Sequence, residues 1–242
     1  GVSKTLARNK QGNYSLDKSR CFVIPHALTL FKDKYKRKNE KIKILYTGTF
    51  YKSAFTDEFK DTLEAIQKLE VYNKLEFTFV LSQYNDESIS WLKSTLPDVK
   101  LMFKLDRGKV LEMLKGSDLM LVIDAETHTD LLKGKLVEAI SYGIPVFTPT
   151  FQDSIMDKVT TEYGCNSSYQ DVKGDSFAKL IDAINKLDNK EWLNSFYIDR
   201  ESVIQKFSED VILKKTYDVT EFAYQRFSKN KNFTIKEFYN WP

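Results

Sequence analysis

The chain is poor in the residues that carry metals and disulfides. Its 242 residues include two cysteines and two histidines. Cys21 and Cys165 lie far apart and fit no metal or redox spacing, and two unrelated thiols suit a reducing compartment. With only His26 and His128, a multi-histidine metal centre is excluded. No apolar run approaches the ~20 residues that cross a bilayer. The first ten residues, GVSKTLARNK, carry no apolar segment of the kind a secretory signal needs. A full G-x-G-x-x-G fingerprint, a Walker loop, internal repeats and low-complexity segments are all missing. What is present is 42% hydrophobic and 29% charged residues, enough to bury a real core. The expectation is a soluble, cytoplasmic protein.

Charge is unevenly spread. Residues 1–43 hold twelve Lys and Arg against three Asp and Glu, a net of +9, so the rest of this +3 chain carries −6. An acidic body with a basic arm is unlike a nucleic-acid binder, whose basic face lies on the fold itself. The run Lys32-Asp33-Lys34-Tyr35-Lys36-Arg37-Lys38 reads first as a solvated linker. Its sharper reading is a peripheral contact with anionic lipid headgroups.

From residue 42 onward, apolar runs alternate with helical stretches. Strands are expected at 42–46 (closed by Gly48), 75–81, 99–103, 118–123, 144–148 and 165–169. Between them, Phe59, Leu63, Ile66 and Leu69 recur at helical spacing, as do Ile89 and Leu92, and Val110, Leu111 and Leu114. Further helices are expected at 134–142, 153–163 and around Phe177–Leu187. This rhythm predicts an α/β fold: a doubly wound, Rossmann-like parallel sheet over residues 41–187. Residues 1–40 are expected to be a basic linker, and 188–242 a C-terminal helical extension.

In such sheets, ligands bind at the carboxyl ends of the strands, near helix N-termini. Two loops qualify, residues 47–56 and 124–134. The second, DAETHTDLLKG, holds Asp124, Glu126, His128, Asp130 and Lys133 and leads into GKLVEAISYGIPVF. Lys135 and Glu138 stand three apart in that helix. As a surface ion pair their order is the unfavourable one, Lys before Glu, and such a pair supplies only about 0.3 kcal/mol. By position the better reading is a ligand edge. Glu138 would accept hydrogen bonds from a ribose diol, and Lys135 would face a phosphate at the helix N-terminus. In the first loop, Gly48 lets the backbone approach a ligand, Thr49 follows it, and Lys52 can neutralise a diphosphate.

YTGTFYKS, GSDLMLVID and DLLKGKLVEAISYGIPVFTP together resemble the donor-binding, C-terminal half of a GT-B glycosyltransferase of the family-four type. Upstream, CFVIPHAL resembles the family segment that enters this half, with His26-Ala27 where the family has Asn-Gly. The resemblance implies that Glu138 is the second acid of the family's Glu-x7-Glu motif and binds ribose. The first position falls on Asp130, a shorter acid, near the donor sugar or phosphate. Gly48 and Thr49 would face the donor phosphates, with Lys52 and Lys135 as the cations.

The resemblance further implies sugar transfer from a nucleotide-diphosphate sugar, with retention of configuration and without a metal, in polysaccharide or glycoconjugate synthesis. The acceptor, a glycan or a lipid-linked one, would sit on a preceding half, of which residues 2–18 resemble only the end. By itself this half should bind donor but transfer sugar poorly. Two alternatives stand beside this reading: half of a sugar-nucleotide epimerase, and a non-catalytic nucleotide-binding module. A response-regulator receiver is disfavoured, because the first strand ends in TGTF without an acidic cluster.

Overall fold

The computed structural model describes Ile24, Ala27 and residues 40–50, 56–195 and 200–228. Cys21, His26, Lys52, the basic run at 32–38 and the tail at 229–242 lie outside the described residues.

The six expected strands form as β1 (Ile42–Thr49), β2 (Leu75–Gln83), β3 (Lys100–Phe103), β4 (Leu119–Leu121), β5 (Val146–Thr150) and β6 (Asn166–Tyr169). All pair in parallel in one sheet ordered β3-β2-β1-β4-β5-β6. The helices between them are α1 (Asp57–Gln67), α2 (Asp86–Thr95), α3 (Arg107–Lys115), α4 (Gly134–Tyr142), α5 (Ile155–Glu162) and α6 (Asp175–Asp188). Helices α7 (Lys190–Ser195), α8 (Arg200–Phe207) and α9 (Glu209–Ser228) follow.

Alternation along each strand sends side chains to two cores. On β1, Ile44 and Tyr46 enter the first and Leu45 the second. The first core is covered by α1 and α6. Phe59, Leu63 and Ile66 of α1 meet Leu180 and Ile184 of α6 there, and full burial of each such side chain contributes about 1.5–3 kcal/mol. The second core is covered by α3, α4 and α5, through Leu114, Leu136, Ile140, Met156 and Val159. Trp192 and Leu193 of α7 pack against the first core, while Val203 and Phe207 of α8 are buried in the second. Helices on both faces make the sheet doubly wound.

Local chemistry sets the helix ends. Thr56, Asn85, Asp106 and Ser154 each accept a backbone N–H in the first turn of α1, α2, α3 and α5. Gly143 stops α4 in the left-handed conformation at φ +68°, and its N–H reaches back to the carbonyls of Ala139 and Ile140.

Boundaries shift where tertiary bonds outweigh composition. β1 does not stop at Gly48 but runs on to Thr49, with a register shift against β2 between these two residues. Leu69 lies beyond α1 and leads into a short 3-10 turn, Glu70–Lys74. β4 is shorter than the apolar run that marks it. Its continuation still bonds to β5, Val122 N–H to Phe147 O at 3.0 Å and Asp124 N–H to Pro149 O at 2.9 Å. Helix α5 starts at Ile155, not Asp153, because Asp153 has φ +61°.

Candidate functional site

Strand order reverses between β1 and β4, so the loops after these two strands border one crevice at the carboxyl edge of the sheet. They are the two loops that sequence position singles out.

On the β1 side, Gly48 has φ +137°, a region L side chains rarely adopt. That conformation accompanies the register shift. Thr49 beyond it is pinned on both its side chain and its carbonyl. Its hydroxyl lies 3.1 Å from that of Ser82, and Tyr46 donates its phenol to the Thr49 carbonyl at 2.7 Å. Phe50 N–H then bonds Gln83 O at 2.9 Å, which carries the pairing past the strand.

On the β4 side, the loop is not plainly solvated. Asp124 is 0% exposed, and Ala125 and Leu132 are buried with it. Glu126–His128 form a single 3-10 turn. Thr129 O accepts the N–H of Ile155 at 2.9 Å, tying the loop to the start of α5. Asp130 sits in the turn that follows, half-buried.

Asp124 accepts the Ala125 N–H on Oδ1 at 2.9 Å, while its Oδ2 is buried with no hydrogen-bond partner. Burial pushes this carboxyl up to about 6, against the opposing pull of the Ala125 N–H, the Ser154 hydroxyl and the charges of Lys133 and His128. Burial also lowers Lys133 from the usual lysine range, and Asp124 works in the opposite direction.

Helix α4 opens at Lys133 without a side-chain cap hydrogen bond, and in its first turn the Leu136 N–H bonds Lys133 O at 3.0 Å. Glu138, one turn in, is 6% exposed. Its Oε2 accepts Lys135 Nζ at 2.7 Å, and its Oε1 lies 3.4 Å from Arg107 Nη2. The ion pair judged weak from residue order is therefore formed. A nearly buried carboxylate lacks the water that makes exposed pairs worth little, so desolvation rather than helix order decides. A second consequence of this packing is that burial and the Glu138 charge push the Tyr142 phenol up to about 12.

Arg107 is the residue that sequence reasoning missed. It opens α3, 31 positions before Glu138, and only the contact between α3 and α4 brings them together. Gly48 and Thr49 lie on β1, Asp130 in the intervening loop, and Lys135 and Glu138 on α4. Among the described residues, no group of three or more His, Cys, Asp or Glu could hold a metal ion, and no helix is long and apolar enough to cross a membrane.

No protein-family model matches the sequence, and neither does any curated protein sequence. Solved structures do share the fold. WaaG, a glycosyltransferase involved in lipopolysaccharide biosynthesis, aligns with TM-score 0.68 and 16% identity over 90% of this chain and 61% of WaaG. A point mutant of S. aureus TarM, in complex with fondaparinux, alpha-GlcNAc-glycerol and UDP, aligns with TM-score 0.67 and 14% identity over 90% of this chain and 42% of TarM. A putative UDP-N-acetylglucosamine 2-epimerase from Listeria monocytogenes aligns with TM-score 0.50 and 16% identity, over 81% of this chain and 48% of that one. The chain thus spans less than two thirds of each of these proteins.

Proposed function

We infer from the sheet, its strand order and its flanking helices, an architecture shared with WaaG and TarM, that the chain is the Rossmann-like part of a GT-B glycosyltransferase fold. We propose that the chain is the donor-binding half of such an enzyme. It would bind a nucleotide-diphosphate sugar and present it to an acceptor glycan or lipid-linked acceptor, in polysaccharide or glycoconjugate synthesis.

One observation carries this reading: a nearly buried carboxylate, Glu138, held by Lys135 and Arg107 beside an open helix N-terminus, at the strand-order reversal. In the bound state Glu138 accepts the two ribose hydroxyls. Lys135 and the first N–H groups of α4 face the diphosphate, with the Gly48–Thr49 backbone on its other side. The same reading assigns the role of a second cation to Lys52, which lies outside the described residues. When the bond from the anomeric carbon to the diphosphate breaks, negative charge grows on the leaving oxygen. These fixed donors stabilise that charge and need no reorientation. Asp130 lies toward the donor sugar. The reaction proceeds with retention and without a metal, and an isolated half transfers little sugar because the acceptor side is elsewhere. The protein is cytoplasmic, and its basic run has two readings, a solvated linker or a peripheral contact with anionic headgroups.

A thermal-shift panel of UDP, GDP, ADP and CDP with their sugars tests the reading. Stabilisation by one nucleotide series, lost in Glu138→Ala, is the expected result. No response to any of them would leave a non-catalytic module. Product analysis on the complete protein distinguishes transfer from epimerisation.

A further inference from the structure

The crevice has two walls that belong to different parts of the chain, and one side chain bridges them. Gln170 follows β6 and is 5% exposed. Its Nε2 donates to Asp124 O at 3.1 Å and to Pro149 O at 3.2 Å, at the ends of β4 and β5. Its Oε1 accepts the Thr56 hydroxyl at 2.8 Å. Thr56 is the last residue of the loop after β1, and its Oγ1 also accepts the N–H of Phe59 to start α1. A chain of bonds therefore runs from α1 through Thr56 and Gln170 to the loop after β4. The amide can face only one way, since the flipped orientation sets its oxygen against two carbonyl oxygens.

We propose that Gln170 is a positioning residue that fixes the spacing between Thr56, at the start of α1, and the loop after β4, and with it the fit of the diphosphate between the two sides of the crevice. The proposal rests on the donor-site reading above. Three features single Gln170 out from ordinary buried glutamines. Both amide protons and the carbonyl oxygen are used, on three segments that share no ladder with one another through it. Those segments flank the crevice, one on the β1 side and two on the β4 side. The fold itself does not hang on this link, because Glu58 of α1 separately accepts the N–H groups of Gly174 and Ser176 at the start of α6, at 3.0 and 3.3 Å. The contact between α1 and α6 is thus held without Gln170, whereas the link from Thr56 to the ends of β4 and β5 runs through it. On the donor-site reading the diphosphate is touched from both walls, but the ribose only from α4. A change in spacing therefore acts on the diphosphate selectively.

The test is calorimetric titration of the 242-residue chain with UDP and UMP, and in parallel with GDP and GMP. Gln170→Met keeps the length of the side chain and removes all three bonds. It is expected to weaken the diphosphate by about tenfold or more and the monophosphate far less, since small misplacements at a two-sided site are costly. Thr56→Val, which breaks only the arm to α1, is expected to do the same in weaker form, and Thr56→Ser to restore the wild-type ratio. Circular dichroism checks that each variant is folded. Equal losses for the diphosphate and monophosphate, or no loss in any variant while Glu138→Ala still abolishes binding, would overturn the positioning role and leave the donor site standing. A wild-type chain that binds neither diphosphate removes both.

Discussion

Two buried carboxylates sit within one loop and one helix turn of each other, and the protein treats them oppositely. Glu138 is met by two cations, Lys135 at 2.7 Å and Arg107 at 3.4 Å. Asp124, fully buried, meets one backbone N–H on Oδ1 and leaves Oδ2 without a partner. The first arrangement keeps a charge ready at the edge of the crevice, where a polar ligand can replace or share its partners. The second leaves a carboxyl whose charged form is penalised by burial. Charge at a crevice is thus set by partner supply, not by the residue's position in the sequence.

Removing the paired carboxylate breaks the comparison most severely. Glu138→Ala deletes both acceptors that the proposed donor site assigns to the ribose diol, and hydrogen bonds to a charged group contribute about 1.5–3 kcal/mol each. Affinity for the bound nucleotide sugar is expected to fall by roughly two orders of magnitude in calorimetry. An unchanged dissociation constant would end the ribose role of this residue.

Asp124 offers the next largest effect, with a definite sign. Its carboxyl titrates near 6 in the folded chain, above its usual 3.8. The folded state thus holds this proton more tightly than the unfolded state does. Its charged form is a stability penalty above about pH 6, which is relieved as pH falls toward 4. Asp124→Asn keeps an acceptor for the Ala125 N–H and removes the charge. It is expected to stabilise the protein at pH 7.5 by about 2 kcal/mol in urea unfolding, and to flatten stability between pH 7 and pH 4. A variant no more stable than wild type at pH 7.5 would show that Lys133 and His128 already offset the burial.

The backbone wall opposite is open to a smaller perturbation. Gly48→Ala places a side chain at φ +137°, where no steric neighbour lies within 4 Å but the conformation itself is strained. The cost is about 1–3 kcal/mol, seen as a lowered Tm. A Tm unchanged from wild type would mean that the strand end relaxes out of this conformation.

How far the sequence disclosed these features depends on range. Most strands were legible as local apolar runs, and the continuous Leu119–Ile123 segment announces a strand buried on both faces, whereas β6 is Asn-Ser-Ser-Tyr and was legible only from the rhythm of the elements before it. Lys135 and Glu138 were legible as a pair because three residues apart on a helix is a local relation. Arg107 was not, since nothing near it in sequence announces its contact with Glu138, 31 positions away. The depth of Asp124 was hidden for a similar reason: DAETHTD looks solvated until β5 and Ser154 close over its first residue. Gln170 carries no local signal at all, because its three partners come from three distant segments. Residue order also misled. Lys before Glu is the weaker arrangement on an exposed helix, yet once Glu138 is buried, the need to compensate its charge outweighs the dipole preference.

The smallest expected effect separates the two cations that hold Glu138. The Arg107 side chain is 74% exposed and its contact is 3.4 Å, so solvent screens most of the attraction. Lys135 is only 35% exposed on its side chain and approaches to 2.7 Å. Arg107→Ala should therefore cost about 0.5 kcal/mol of stability and Lys135→Ala about 1 kcal/mol, with the Arg107 effect fading in 1 M salt. Urea unfolding of both single variants and the double variant closes the cycle. If Arg107→Ala proves as costly as Lys135→Ala and insensitive to salt, the guanidinium is packed against Glu138 in solution more closely than 3.4 Å implies, and Glu138 has two equal anchors instead of one strong and one weak.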